Sequence, residues 1–487
     1  MMNEITPPPE LEIPEADWKQ TPASVRVVLQ VLSHQTQELK AEIAKLQEQL
    51  NLNSSNSSKP PSSDGPKQKI VKGKPKEEGK KRGGQKGHEG HRRELLPIEQ
   101  VDEIIDHKPE QCAGCGSQLE GSDPTPYRHQ VTELPPIEPY VTEHQIHSLK
   151  CACCGKKNRG QLPEAEISQF GPNLVALMAL LMGVYRLSKR QVTGLLQDCF
   201  DIQISTGSVV SQQNRVSAAL EEPVQEALAY VQQQAVRNID ETGWYQRDQD
   251  KKAWLWTVVT STVTVFHIAL SRSGNIAKML LGEGEEFFTG TDRYSAYHWL
   301  LLRMRQVCWA HLRRDFQKIL ERGGQSELVG RNLRVLANEI LAMWGRVRDG
   351  TLTMDDFLLR LPAFQHTMHH YLSEGALCSH TKTAKTCQRI LKVEVALWTF
   401  VSQPGLEPTN NSAERALRQA VIWRGISYGT QSEAGSRFVE RILTVAETCR
   451  QQERNPLDYL RAAVLAHRRG DPVPSLLPHP PLGLSTP

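Results

Sequence analysis

The chain has 487 residues, of which 39% are hydrophobic, and this length allows several domains that each bury a core. The acidic, Pro-rich N-terminus excludes a secretory signal, and the longest apolar run, Leu174 to Tyr185, is too short to span a bilayer. We therefore expect a cytoplasmic protein without a membrane partner. The formal net charge is only +3, but the basic residues are unevenly distributed.

The first predicted element is a helix in residues 22–52. Apolar residues recur there in alternating steps of three and four, interrupted at Thr36, and they are Leu29, Leu32, Leu39, Ile43, Leu46 and Leu50. This short heptad pattern predicts either a coiled-coil dimer or a helix that docks on its own protein.

Residues 53–98 are predicted to form a disordered basic linker. From Pro66 to Arg93 the segment is dense in lysine and arginine and nearly free of apolar residues. It is either a solvated linker or an arm that neutralises the phosphates of nucleic acid. On the second interpretation the DNA-binding candidates are Lys80, Lys81, Arg82, Lys86, Arg92 and Arg93.

Residues 99–165 contain two CxxC pairs, formed by Cys112 with Cys115 and by Cys151 with Cys154. Each pair presents two thiolates to one tetrahedral ion, and the following glycine lets backbone amides turn toward sulfur. In a cytoplasmic protein this spacing favours a structural zinc ribbon over disulfides. The fourth ligand stays open, because spare donors lie nearby at Cys153, His144 and His147.

The pattern of residues 166–232 is helical. Two helices are predicted to start near Ser188 and near Ser205, and the short link between them suits a helix-turn-helix. Helical hairpins are common, so this segment is either a DNA reader or a structural hairpin. A further helix is predicted after Pro223, towards Gln234.

From residue 233 the pattern changes to strands. Three stretches rich in Val, Ile, Thr and aromatic residues occupy residues 235–244, 252–261 and 263–270. A helix near Ala277, a fourth strand before DRYSAY and a fifth strand feeding a helix at CWAHLRRDF complete the pattern. Three sequential strands followed by alternating helices and strands predict a mixed sheet in the order of a ribonuclease-H-like core.

Two aspartates fall on these strands, Asp240 on the first and Asp292 at the end of the fourth. Carboxylates in apolar strands are costly unless something pairs with them, and carboxylate-only sites suit Mg²⁺ or Mn²⁺. The alternative is that both aspartates cap turns or make salt bridges. Glu241 points to the other face of its strand and is not expected to share a metal with Asp240.

A third carboxylate, Glu414, lies in the stretch PTNNSAERALRQ. Asn411 followed three residues later by Glu414 is a capping-box pattern, so the glutamate is either a helix cap or a catalyst. As a catalyst it would complete a two-metal site with the two aspartates. Residues 321–405 are predicted to form a helical insertion that leaves the core undisturbed. Nearby arginines are expected to meet DNA phosphates, namely Arg415, Arg418 and Arg424.

The motif CWAHLRR supplies further candidates. His311 either contacts a phosphate or shuttles a proton, or it is a structural residue that holds the sheet edge. Arg313 and Arg314 form either a solvated helix face or a contact to the DNA backbone. The strand tryptophans are expected in the core. Five further cysteines are expected to be packing residues, and they are Cys199, Cys308, Cys378, Cys387 and Cys449.

Together these stretches resemble the transposases of the insertion-sequence-sixty-six family. The similarity runs in family order from about residue 29 to about residue 460, through NSSNSSKPPSSD, GGQKGHEGH, the paired CxxC, IDETGW, TDRYSAY, CWAHLRRDF and TNNSAERALR. It implies an aspartate, aspartate, glutamate (DDE) enzyme on a ribonuclease-H-like fold, whose Mg²⁺-binding catalytic triad is Asp240, Asp292 and Glu414. It also implies binding of transposon ends and a zinc site of Cys112, Cys115, Cys151 and Cys154. The later stretch WRGISYGTQSEAGSR lacks an expected lysine-asparagine pair, a departure that concerns DNA contacts rather than the triad.

We therefore expect a multidomain α+β transposase that catalyses metal-dependent DNA cleavage and strand transfer. Its expected parts are a coiled-coil helix (22–52), a basic linker (53–98), a zinc domain (99–165), a helix-turn-helix-like region (166–232), a catalytic core (233–320 and 406–460), a helical insertion (321–405) and a Pro-rich tail (461–487). The expected partners are double-stranded DNA of the element ends and target, a second copy or more on DNA, and accessory proteins of the same element. The alternatives are a catalytically inactive DNA-binding repressor and a ribonuclease-H-like nuclease.

Overall fold

The computed structural model describes residues 7, 13–51, 57, 94–282, 284 and 287–478. The chain starts with a short helix, α1 (Glu15–Gln20), and a long one, α2 (Ala23–Asn51). Helix α2 confirms the helix predicted in residues 22–52, and its heptad side chains Leu32, Leu39 and Ile43 are exposed. The six basic candidates of the linker lie outside the described residues.

A small antiparallel sheet follows, made of β1 (Ser148–Lys150) and β2 (Lys157–Arg159). The two strands flank the second CxxC pair. Of the described side chains in residues 94–165, none is buried. This part of the chain therefore folds without a hydrophobic core among its described residues.

Four helices come next: α3 (Pro172–Gly183), α4 (Lys189–Phe200), α5 (Thr206–Ala219) and α6 (Glu221–Val231). Ser188 caps α4 in a capping box with Gln191, and Ser205 caps α5, so both predicted helix starts are confirmed. Helix α6 begins two residues before Pro223 rather than after it. A proline is tolerated in a first helical turn because the N–H that it lacks has no intrahelical partner there.

The central sheet has five strands: β3 (Val236–Trp244), β4 (Ala253–Val259), β5 (Thr264–Ala269), β6 (Phe288–Thr291) and β7 (Arg305–Val307), with helix α7 (Gly274–Leu281) between β5 and β6. The strand order is β5-β4-β3-β6-β7. Neighbours among β3, β4 and β5 run antiparallel, whereas β3, β6 and β7 run parallel. The five predicted strands and the mixed sheet are thus confirmed.

The segment after β7 is helical, with α8 (Trp309–Leu320), α9 (Gly324–Arg348), α10 (Met354–Ala376), α11 (Thr381–Leu391) and 3-10 turns at Glu394–Leu397 and Thr399–Val401. These helices share a core with β7 around Trp309, Phe316, Phe357 and Phe400. The helical content predicted for residues 321–405 is confirmed.

Three final helices return to the sheet: α12 (Asn411–Ser427), α13 (Glu433–Gln451) and α14 (Pro456–Arg469). Helix α12 packs on β3 and β4, α13 on β5, and α14 on α3, all within one core. Helix α14 continues past residue 460, because Ala463 and Val464 are buried on its inner face. The predicted Pro-rich tail is therefore wrong for residues 461–469.

Helix α3 contains most of the longest apolar run of the sequence. Its residues from Val175 to Gly183 are partly or fully buried in the core beneath α13 and α14. In the part of the chain that the structure describes, no helix combines the length and apolarity needed to cross a membrane.

Candidate active site and zinc-binding region

Strand register brings Asp240 and Asp292 to the same level of the central sheet. Strands β3 and β6 run parallel, with Asn238 opposite Gly290. Continuing this register by two residues places Asp240 opposite Asp292, which directly follows β6. Asp240, in the middle of β3, and Asp292, directly after the end of β6, therefore lie at the same level on adjacent strands.

The carboxylate of Asp240 also interacts with the third candidate. Burial raises the pKa of Asp240 well above its ordinary value, and repulsion from Glu241, Asp292 and Glu414 raises it further. The backbone N–H of Glu241 donates a hydrogen bond to Asp240 Oδ1 at 3.0 Å, and this bond lowers the pKa of Asp240. Carboxylates that destabilise one another's charge form a site that a cation would stabilise, so these residues fit a divalent metal.

Glu241 is buried and is held by protein partners. Its Oε1 accepts hydrogen bonds from Arg272 Nε at 2.8 Å and Nη2 at 2.6 Å, and its Oε2 accepts one from the Tyr297 hydroxyl. The Arg272 guanidinium lies 4.3 Å from the ring centroid of Trp254 and 3.8 Å from that of Tyr294. Burial raises the pKa of Glu241, whereas the hydrogen bond from Tyr297 lowers it. This cluster braces β3 beside the first catalytic candidate.

Asp292 lies in a turn that a buried arginine fixes. The N–H of Tyr294 donates to Asp292 Oδ1 at 2.8 Å. Arg305, on β7, donates to the carbonyl of Asp292 at 2.7 Å and to Thr291 Oγ1 at 2.9 Å. Burial lowers the pKa of Arg305 to about 10, so it remains charged at neutral pH. The turn is thus held from the neighbouring strand while its carboxylate stays available.

Glu414 contacts helix α8. Its Oε1 lies 3.3 Å from Arg314 Nη2 and 3.4 Å from His311 Nδ1, although the His311 contact lacks hydrogen-bond geometry. Ligand atoms of Cys308, His311 and Glu414 all lie within 4.8 Å of one another. Burial and Arg314 lower the pKa of His311, while Glu414 acts to raise it. The histidine therefore neighbours the third carboxylate.

The capping box predicted between Asn411 and Glu414 does not form. Helix α12 begins at Asn411, and its N-cap is Asn410, whose side chain makes no capping hydrogen bond. Asn410 is fully buried, and its Nδ2 donates to the carbonyl of Ile239 at 2.8 Å. Docking on β3, rather than a local cap, therefore sets the start of α12 and leaves Glu414 directed at α8.

Asn410 also links α12 to α8. Its backbone N–H donates to Cys308 Sγ at 3.2 Å, and the carbonyl of Pro408 accepts from the N–H of Trp309 at 3.0 Å. Gly290 gives the segment room, because a Cβ at this position would collide with Asn238 Oδ1 and lie 3.6 Å from Asn410 Oδ1. The segment before Glu414 is thus fixed to β3, which carries the first aspartate, and to the start of α8.

Asn410→Ala is expected to lower the free energy of unfolding by about 1–3 kcal/mol, because a buried carbonyl on β3 loses its donor. Strand transfer, if the chain catalyses it, should fall as well, since Glu414 loses its anchor. The measurements are urea unfolding and a joining assay. Asn411→Ala is the matched control: Asn411 is exposed, so a change within about 0.5 kcal/mol is expected. Equal losses in both variants would contradict the anchor.

Three residues of this site were not predicted from the sequence, and they are Asn410, Cys308 and Arg305. Cys308 was expected only to pack; it is buried, and burial raises its pKa to about 11. Its spacing of three from His311 was a usable signal, because residues three apart share a helix face. The pair of asparagines before Glu414 was a second signal. The sequence pattern around Arg305 contains no comparable signal.

The structure brings the three carboxylates into electrostatic contact but not into one tight group. Among the described residues, the only three potential metal ligands whose ligand atoms lie within 4.8 Å of one another are Cys308, His311 and Glu414. A site that spreads its ligands over two ions roughly 3.5 to 4 Å apart does not require all three carboxylates at that spacing.

The arginine candidates differ in their surroundings. Arg313, Arg415 and Arg418 are exposed, whereas Arg314 and Arg424 are half-buried. Arg424 Nη1 donates to the Thr242 hydroxyl at 3.1 Å and to the Gly243 carbonyl, both on β3. These bonds fasten α12 to β3. The predicted DNA contacts of the three exposed arginines stay predictions.

The two CxxC pairs fold into matching turns. The N–H of Gly116 donates to the carbonyl of Cys112, and that of Gly155 to the carbonyl of Cys151, both at 2.9 Å. Gly116 has φ +72° and Gly155 φ +71°, a conformation that favours glycine. The glycine after each pair is therefore required by the turn.

The turns favour thiolates, the form of cysteine that binds metal. Hydrogen bonds with Ser117 lower the pKa of Cys115, and the backbone of Cys154 and Cys153 lowers the pKa of Cys151. The donors thus fit Zn²⁺. Within the described residues the sulfur atoms of the two pairs are not gathered within 4.8 Å, so the turns form two separate halves of a site.

Comparison with known proteins places most of the described chain in family models. The model "Transposase IS66 family" matches residues 167–437, a little over half of the chain, and "zinc-finger binding domain of transposase IS66" matches residues 109–155. A "Family of unknown function (DUF6444)" matches residues 6–94. An uncharacterized protein, y4qI of Sinorhizobium fredii (strain NBRC 101917 / NGR234), is 25% identical over 249 residues. That match covers 46% of this chain and 45% of the relative.

Proposed function

The chain belongs to the Transposase IS66 family, and on this basis we propose that it is a DDE transposase that cuts DNA at the ends of its own element and joins the freed 3′-hydroxyls to target DNA. The observation that carries the proposal is the electrostatic coupling of Asp240 to Asp292 and Glu414, which lie far apart in the sequence. The family's zinc-finger match supports a structural zinc and binding of DNA.

A ribonuclease-H-like core is supported by the order of the central sheet. Numbered within the sheet, the strands follow the order 3-2-1-4-5, and the second strand is antiparallel to both neighbours. Asp240 lies on the central strand and Asp292 directly after the strand beside it. Glu414 approaches from a helix that packs on the same central strand.

In the proposed mechanism Asp240, Asp292 and Glu414 would hold Mg²⁺ or Mn²⁺. When bound, these ions supply electrostatic stabilisation of the attacking and leaving oxygens. In the first step water displaces a 3′-oxygen at the element end, and in the second the freed 3′-hydroxyl displaces a 3′-oxygen in the target strand. The chain's own contribution is to hold the carboxylates in place before DNA binds.

Residues around the triad supply that fixed geometry. The Glu241 cluster braces β3, Arg305 fixes the turn of Asp292, and Asn410 anchors the helix of Glu414. Arg314, 3.3 Å from Glu414, carries a positive charge beside the site and would contact a phosphate oxygen of the bound DNA in this mechanism.

We also propose that a dimer or larger assembly acts on paired element ends, with accessory proteins of the same element as further partners. Exposed Leu32, Leu39 and Ile43 on α2 support the zipper interpretation, because a second helix would bury them.

The proposal is tested with a duplex that carries the element's terminal repeat, incubated with the full chain and Mg²⁺. We expect joined products in which the 3′ end of the element is linked to target DNA, and none with a chelator. Cleavage without joining would favour the nuclease, and binding without either reaction would favour the repressor. Either result would reject the proposed activity.

A further inference from the structure

Helix α11 carries a row of basic residues on its exposed side. They are spaced by three, four and three, which places them on one side of an α-helix. The opposite side carries Thr383, Cys387 and Ile390, which are buried. We define the basic face as the four exposed residues Lys382, Lys385, Arg389 and Lys392, of which Lys392 is the C-cap residue directly after the helix and keeps a helical backbone conformation.

Among the residues that the structure describes, no acidic side chain forms an ion pair with the basic face. Helix α11, TKTAKTCQRIL, contains no Asp or Glu, and Glu394 just beyond it lies 2.8 Å from His369 instead. Within the described part of the chain, the ion pairs at up to 4.0 Å include none of the four cations. Like charges three or four residues apart on a helix repel each other. The face therefore gains stability when it meets a polyanion.

The inner side of α11 is connected to the candidate active site through α8. Arg322, just beyond the last turn of α8, donates to Thr383 Oγ1 at 3.0 Å. The first turn of α8 carries His311, 3.4 Å from Glu414. From His311 to Arg322 the helix advances about 16 Å, which is the length of about five base pairs of duplex DNA.

The shape and charge of the basic face fit one partner. Its four cations extend over about 15 Å of helix, and duplex DNA carries one negative charge per about 1.7 Å of axis. We propose that the basic face of α11 binds the sugar-phosphate backbone of the duplex that flanks the catalytic site. This inference rests on the proposed function and adds a DNA contact in the helical insertion, about one helix length from the triad.

The test is the salt dependence of DNA binding by the full chain. The variant carries Lys382→Gln, Lys385→Gln, Arg389→Gln and Lys392→Gln, and binding to two duplexes of unrelated sequence is measured by anisotropy over a salt series. We expect the slope of log K against log salt to become less steep by about 3.6, equally on both duplexes, because each phosphate contact contributes about 0.9. The variant should unfold at the same temperature as the wild type or a higher one.

A control variant removes the same amount of charge elsewhere. It carries glutamine at four other exposed arginines, Arg346, Arg348, Arg360 and Arg461, and should keep the wild-type slope. The inference is overturned if the basic-face variant keeps the wild-type slope, if the control loses as much, or if only one duplex is affected. A wild-type protein without salt-dependent duplex binding would overturn the proposed function together with the inference.

Discussion

Asp240→Asn is expected to lower the rate of strand transfer by at least about a thousandfold and to leave the protein folded. Metal ions supply several kcal/mol of transition-state stabilisation in phosphodiester chemistry, and each 1.36 kcal/mol is tenfold in rate. Asparagine keeps the shape of the side chain but removes the anionic oxygen that would hold the metal. The measurement is the rate of joining at saturating Mg²⁺.

Stability separates lost chemistry from a lost fold in this variant. Because the pKa of Asp240 is raised in the folded protein, its carboxylate lowers the free energy of unfolding only where it is ionised. Below the unfolded pKa of about 3.9 the group is protonated in both states, and it costs no stability. The penalty develops as the pH rises from there to the folded pKa and then stays constant. At neutral pH without divalent metal, Asp240→Asn should therefore be at least as stable as the wild type. A clear loss of stability would mean that Asp240 has a structural role.

The matched control is Asp248→Asn, which makes the same chemical change at an exposed position between β3 and β4. It should retain full activity. Full activity in Asp240→Asn, or an equal loss in both variants, would reject the catalytic assignment.

Much of the fold could be predicted because its signals are local. Ser188 and Ser205 cap the helices that they were predicted to start, and five short β-rich stretches became the five strands of the central sheet. The two aspartates could be paired in advance because strand order alone places their strands side by side.

The site was harder to predict where tertiary packing overrides local rules. At the start of α12 the local pattern favours Asn411 as the cap, but burial of Asn410 against β3 sets the helix start instead. Cys308 and Glu414 are about a hundred residues apart in the sequence, and only the folding of α12 onto α8 brings them together. The extension of α14 beyond residue 460 likewise depends on its packing against α3.

Zinc removal is expected to unfold residues 109–155 while the central sheet stays intact. Ordering a backbone costs about 1–2 kcal/mol per residue, and none of the described side chains in residues 94–165 is buried to offset that cost. Structural zinc supplies about 10–16 kcal/mol in zinc-finger peptides. After chelation or Cys151→Ser, hydrogen exchange should show loss of protection at the amides of Gly116 and Gly155, and no change in β3 to β5.

The control for this result is Cys153→Ser, because Cys153 is exposed and lies between the two cysteines of the second pair. If Cys112, Cys115, Cys151 and Cys154 are the ligands, this variant should keep its zinc, measured as bound metal per chain, and its exchange protection. Loss of zinc in Cys153→Ser would make Cys153 a ligand. If hydrogen-exchange protection in the turns is unchanged after chelation, contacts other than the metal hold the turns. That outcome would reject the structural role of zinc.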